Sequence, residues 1–168
     1  VRYFAPLFTS QEDIIRAIAQ FLPINYHLIV KEHPEQPGHL LREEFDRIRR
    51  RNSNVKYLPA HLGSEELSMK ADTVVTICGS SGWEALVLQK PLIVLGDVFY
   101  DSHAGATNVD SLKQLRKALN GSFSLPKSKE YSSDYLASVL SIAYEGRINS
   151  RVLEGSNLEK ISSAITTE

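Results

Sequence analysis

The sequence predicts an α/β fold, a parallel sheet covered by helices, and three observations carry that prediction. Short apolar, β-branched runs alternate with stretches whose apolar residues recur at helical spacing. The chain has 168 residues, enough for about one domain with a buried core. Chemistry-bearing residues follow the strand-like runs, and such loops gather at one edge of a parallel sheet.

Taken in order, Arg2-Tyr3-Phe4-Ala5 reads as a strand. Residues 12–21 place Ile14, Ile15, Ile18 and Phe21 at helical spacing, with Ser10 as N-cap. His27-Leu28-Ile29-Val30-Lys31 reads as a buried strand. Residues 39–51 form an amphipathic helix with Leu40, Leu41, Phe45 and Ile48 apolar. Val55-Lys56-Tyr57-Leu58 is a short strand, and residues 64–69 are a short helix capped by Ser64. A strand over 73–77 precedes a helix over 82–89, and Pro91-Leu92-Ile93-Val94-Leu95 is another strand. An irregular loop over 96–108 leads to helices near 111–120, 133–144 and 158–165. Strand-to-helix loops should gather on one edge, and function with them.

The balance of charge narrows the function classes. Nineteen Lys and Arg face twenty Asp and Glu, for a net charge of −1. That balance argues against a general electrostatic grip on nucleic acid. The run Arg47-Ile48-Arg49-Arg50-Arg51 ends a helix, where cations suit the dipole. The single cysteine, Cys78, supports neither a disulfide framework nor a cysteine metal cluster. Following Val74-Val75-Thr76-Ile77, it is expected to be a small buried hydrophobe in a reducing compartment. No apolar run approaches the roughly 20 residues of a membrane helix, and no signal peptide is visible. The chain begins with Val1 and reads as a piece of a longer protein.

Two stretches carry the chemistry. Cys78-Gly79-Ser80-Ser81-Gly82-Trp83-Glu84-Ala85 sets two hydroxyls and two glycines where a strand gives way to a helix. Glycines permit close backbone approach, serines offer hydroxyls, and a helix start offers free amides, so a phosphate fits there. An ordinary serine cap would explain one serine but neither glycine. The stretch is neither a Walker motif nor a dinucleotide-binding GxGxxG. Glu84, read as lying in the first turn of that helix, either compensates its dipole or accepts hydrogen bonds from ribose hydroxyls. Trp83 reads as a packing residue. Val30-Lys31-Glu32-His33-Pro34 places an imidazole at a strand end, where its cationic form can neutralise a phosphate. Lys31 and Glu32 alternate faces beside it. Gln11-Glu12 follows the first strand, with Glu12 either a helix N-terminal carboxylate or a general acid or base. Asp97, Tyr100, Asp101, His103 and Thr107 crowd the long loop, and chemistry alone does not rank them. The histidine spacing makes no metal motif.

The joint pattern of Leu28 to Pro34, the Ser-Ser-Gly-Trp-Glu-Ala core within 74–88, Lys90 to Gly96 and Phe99-Tyr100-Asp101 is similar to bacterial capsule polysaccharide biosynthesis proteins. These include Kdo transferases that build the lipid-linked capsule linker. The resemblance covers roughly residues 3 to 120. Where relatives tend to have a shorter loop ending in Gly-Leu-Thr, this chain has Ser102-His103-Ala104-Gly105-Ala106-Thr107.

The resemblance implies that residues 1–168 form a single Rossmann-like domain, with helices on both faces of the sheet. That domain would be the C-terminal, donor-binding half of a two-domain GT-B glycosyltransferase. The implied donor is a CMP-activated sugar, typically CMP-Kdo, with a glycan or glycolipid acceptor and the N-terminal GT-B domain of the same protein as partners. Carried onto this sequence, His33 would contact the phosphate and assist leaving-group departure, with Glu12 as a second catalytic group. Lys31, Gly79, Ser80, Ser81, Gly82 and Glu84 would bind nucleotide, Ser80 and Ser81 at the phosphate and Glu84 at the ribose. No Asp-x-Asp motif occurs, no metal is expected, and nucleic acid is not an expected partner. The expected location is the cytoplasm or the inner face of its membrane. A CDP-glycerol glycerophosphotransferase, a UDP-sugar 2-epimerase and a non-catalytic nucleotide-binding module remain as alternatives.

Overall fold

The structure is a computed structural model, which describes residues 10–33, 42–122, 132–143 and 160. The chain divides into two compact units, residues 1–129 and 130–168. The strand expected at residues 2–5 lies outside the described residues, as does most of the helix expected at 158–165.

The first unit alternates helices and strands: α1 (Gln11–Phe21), β1 (Leu28–Lys31), α2 (Arg42–Arg51), β2 (Val55–Leu58), α3 (Ser64–Lys70), β3 (Val74–Thr76), α4 (Ser80–Val87), β4 (Leu92–Val94), β5 (Ala106–Asn108) and α5 (Leu112–Ser122). All strand pairs among the described residues are parallel. β1 pairs with β2, Leu28 opposite Val55. β4 lies between β3 and β5, with Leu92 opposite both Val74 and Ala106. The α/β class is therefore that of the sequence reading.

Alternation of side chains along β4 explains why helices cover both faces. Ile93 joins Ile14 and Ile18 of α1 and Leu115, Ala118 and Leu119 of α5 in one core cluster. Its neighbours Leu92 and Val94 point the other way, into a cluster with Ala85 and Leu86 of α4 and with Tyr100. α1 divides its apolar stripe similarly. Ile14 and Ile18 face α5, whereas Ile15 and Ala19 join Phe45 and Ile48 of α2 and Val55 of β2. Leu28 packs against both of these clusters.

Local chemistry sets the element ends. The Ser10 hydroxyl accepts the Asp13 amide at 3.2 Å and caps α1, as expected. Ser64 does not cap α3. The cap is Gly63, and Ser64 is the first helical residue, so its hydroxyl is not in the capping position. The other end of α3 is held by Lys90, whose ammonium donates to the carbonyls of Met69 and Ala71. In α2 the Arg49-Arg50-Arg51 run occupies the last turn, where its charge suits the dipole.

Two boundaries differ from the sequence reading and bear on the site. α4 begins at Ser80, two residues before the expected Gly82. The expected loop over 96–108 ends at Gly105, because Ala106-Thr107-Asn108 pairs with β4. Three residues without an apolar run give no periodic signal, and only the neighbouring strand makes them a strand.

The second unit contains α6 (Ser132–Ile142). Within it the Ser138 hydroxyl donates back to the Asp134 carbonyl at 2.8 Å, and that of Ser141 to the Ser138 carbonyl at 2.7 Å.

Candidate functional site

The turn from β3 into α4 is built around the Gly79 peptide. The Gly79 amide donates to the Thr76 hydroxyl at 3.1 Å. Its carbonyl accepts the Tyr100 hydroxyl at 2.6 Å and the Gly82 amide at 3.1 Å. Gly79 is the N-cap of α4, and having no side chain it leaves the helix start without a side-chain cap. A Cβ added at Gly82 would lie 2.5 Å from the Tyr100 hydroxyl and 2.8 Å from the Thr76 methyl. Only glycine permits that approach of Tyr100 to the helix.

Ser80 and Ser81 are the first two residues of α4, at the carboxyl end of β3. Ser80 is exposed, and its hydroxyl reaches the Glu84 carboxylate at 3.5 Å. The Ser81 hydroxyl lies over Gly79, 3.3 Å from where a Cβ would stand. Glu84 is one full turn into the helix, because α4 starts at Ser80. The expected first-turn position is thereby corrected, and dipole compensation no longer accounts for this carboxylate. Gly79, Ser80, Ser81, Gly82 and Glu84 thus come together as the sequence reading grouped them.

Cys78 is exposed, against the expected burial. β3 ends at Thr76, so Cys78 lies beyond the sheet, in the turn before Gly79.

The remaining expected site residues stand at other element ends. His33 is exposed and follows β1, whose ladder continues one step further as the Glu32 amide donates to the Leu58 carbonyl at 3.0 Å. Pro34 lies outside the described residues. The Lys31 ammonium donates to the carbonyls of Glu32 at 2.9 Å and Ala60 at 3.2 Å, which ties the end of β1 to the loop after β2. Burial and the Glu32 carboxylate beside it push the Tyr57 phenol up. Glu12 sits in the first turn of α1. Burial pushes its carboxyl up, but hydrogen bonding with the Ser10 hydroxyl, its own amide and the Glu44 side chain of α2 outweighs that, so its pKa is lowered.

Two residues shape the turn without having been assigned a role in the sequence reading, Thr76 and Tyr100. Tyr100 is 2 % exposed. Burial pushes its phenol up, the Thr76 hydroxyl offsets part of this, and Cys78 adds to it. The threonine's signal is its place three residues before Gly79, where a hydroxyl can accept a turn amide. Tyrosine at position 100 has no local signal, because its partner is 21 residues away. Among the described residues, no group of three or more His, Cys, Asp or Glu is placed to hold a metal ion. Nor is any helix among them long and apolar enough to cross a membrane.

Over 92 residues the chain is 33 % identical to the capsule polysaccharide export protein KpsS of Escherichia coli. The match takes in 53 % of this chain and 24 % of that protein, so the chain spans about a quarter of the length of this curated relative. Among solved structures it is similar to Thermosulfurimonas dismutans KpsC, a beta Kdo 2,7 transferase, at 17 % identity and a TM-score of 0.35, covering 65 % of this chain and 51 % of that one. The model of the capsule polysaccharide biosynthesis protein family matches residues 4–145, and the chain belongs to that family.

Proposed function

We propose that this chain is the nucleotide-sugar-binding, donor half of a GT-B glycosyltransferase in capsule or surface polysaccharide biosynthesis, and that its donor is CMP-activated, as CMP-Kdo is. The observation that carries the reading is the opening of α4. Two serine hydroxyls and the amides of a helix capped only by glycine stand at the carboxyl end of a parallel strand. Phosphate groups bind at such helix starts, and ligands of parallel α/β sheets bind at that edge. Membership of the capsule family supports the same reading.

In this proposal the bond from the anomeric carbon to the phosphate oxygen breaks, and its electron pair stays on the nucleotide. Ser80, Ser81 and the first amides of α4 stabilise the charge that develops there. His33 adds its imidazole at the phosphate, and Lys31, which donates to the Glu32 and Ala60 carbonyls, braces the end of β1. Glu84 accepts the ribose hydroxyls. Glu12 takes the proton of the attacking acceptor hydroxyl. The acceptor is a glycan or glycolipid, and the reaction runs in the cytoplasm or at the inner face of its membrane.

Calorimetric titration of the intact protein with CMP, CDP, UMP and UDP tests this. CMP-selective binding that Ser81→Ala and His33→Ala each weaken about tenfold or more is the expected result. Selectivity for UDP would favour an epimerase-like enzyme instead. Absence of binding to every nucleotide would overturn the proposal.

A further inference from the structure

α2 ends in a cluster of four arginines, Arg47, Arg49, Arg50 and Arg51, all exposed. A helix dipole presents only about half a negative charge at that end, which the cluster exceeds several-fold. Folding does not use the surplus. Among the described residues Arg49 alone of the four is paired, with Asp46 at 3.8 Å. The Ile48 carbonyl at the helix end is taken by Asn52, whose side chain donates to it at 2.9 Å and whose amide donates at 3.0 Å. Arg47, Arg50 and Arg51 stand at i, i+3 and i+4, so they share one helix face and repel one another. No acidic residue occurs in 47–64 to offset them, and none in 14–31.

These two acid-free stretches lie against each other. The Leu28 amide donates to the Asn54 carbonyl at 2.9 Å, and the Asn54 side chain donates to the Ala19 carbonyl of α1 at 3.3 Å. The loop over 22–27 and the loop over 52–54 therefore run side by side at the amino ends of β1 and β2. The first loop turns where the Tyr26 amide donates to the Pro23 carbonyl at 3.0 Å, and at that turn Ile24 is 95 % exposed. A single exposed isoleucine needs no explanation by itself. On a loop fastened beside an unpaired cationic helix end, it supplies the apolar part of an interfacial footprint.

We infer that this edge docks on an anionic membrane surface, with Arg47, Arg50 and Arg51 at the lipid headgroups and Ile24 entering the interface. Charged headgroups attract each cation, and the isoleucine gains by leaving water. A soluble polyanion would use the arginines but not Ile24. The edge lies at the opposite end of β1 from His33, so docking there leaves His33 uncovered. The inference goes beyond the glycosyltransferase reading and does not depend on it.

Co-sedimentation of the intact protein with lipid vesicles tests it. Phosphatidylcholine vesicles holding about 30 % phosphatidylglycerol should bind it about tenfold or more tightly than phosphatidylcholine alone, and added salt should weaken that binding. The double variant Arg50→Gln, Arg51→Gln should lose about tenfold or more in vesicle affinity. Ile24→Ser should lose about threefold. Lys113→Gln, at an exposed cation of α5, should change nothing. CMP titrated into the arginine and Ile24 variants should bind as it does in the parent. Binding to the anionic vesicles that is absent, or that the arginine variant leaves unchanged, overturns the inference. Loss in the arginine variant with none in Ile24→Ser also overturns it, and assigns the arginines to a soluble polyanion instead. Failure of CMP to bind the parent overturns the glycosyltransferase reading and leaves the vesicle result standing.

Discussion

The Tyr100 hydroxyl donates to the Gly79 carbonyl across 2.6 Å, joining the loop after β4 to the first turn of α4. This bond restrains the peptide from which the serine turn starts. Tyr100 is buried among Ala85, Leu86, Leu92 and Val94, so its position follows from the core. The turn's geometry is therefore set by packing together with its own Thr76 and glycines.

Tyr100→Phe keeps the packing and removes that bond. The expected loss is about 1–2 kcal/mol of stability, read by denaturant unfolding. CMP affinity should also fall, because the Gly79 peptide loses one of its restraints. Unchanged stability would show that the hydroxyl contributes nothing to the turn.

Alkaline pH should act through the same phenol. Burial raises its pKa above the ordinary value of about 10, so above that pH the unfolded chain ionises first and binds fewer protons than the native state. Stability is fully present below about pH 10 and declines as pH rises through the native pKa. Tyr57, also raised, contributes in the same direction. Comparing unfolding at pH 8 and pH 10.5 should show a smaller decline in Tyr100→Phe than in the parent.

Gly82→Ala forces a methyl against Tyr100 and Thr76, at 2.5 and 2.8 Å. Overpacking of this kind costs about 1–3 kcal/mol. Combined with Tyr100→Phe the cost should be partly relieved, since the nearest clashing atom is gone, and a double-mutant cycle measures that coupling. Strict additivity would contradict the proposed clash.

Gln89 adopts φ 55° at the end of α4. Its amide and that of Lys90 donate back to the carbonyls of Leu86 and Ala85, and Pro91 follows. This left-handed helix ending favours glycine. Gln89→Gly should therefore raise stability by about 0.5–1 kcal/mol, seen as a higher thermal midpoint. A lower midpoint would rule the strain out.

Lys31→Met separates a structural clamp from a phosphate ligand. Its ammonium is held by the Glu32 and Ala60 carbonyls. The expected result is a stability loss of about 1–2 kcal/mol with CMP affinity changed less than about threefold. A tenfold affinity loss at unchanged stability would assign Lys31 to the phosphate instead.

The sequence by itself determined the α/β class, because alternating periods of two and 3.6 are local properties of the chain. It also determined the cap at Ser10 and the grouping of Gly79, Ser80, Ser81, Gly82 and Glu84, which are neighbours along the backbone. Tertiary structure alone decided what lies behind that turn. The reach of Tyr100 to Gly79, the requirement for glycine at position 82 and the exposure of Cys78 depend on where β3 ends and on what β4 carries past it. β5 was decided in the same way, by the free edge of β4 rather than by Ala106-Thr107-Asn108. The start of α4 at Ser80 follows from the bonds that Thr76 and Tyr100 make to the Gly79 peptide. Long-range hydrogen bonds and close approach leave no periodic trace in a sequence, so these features become visible only when the strands are assembled.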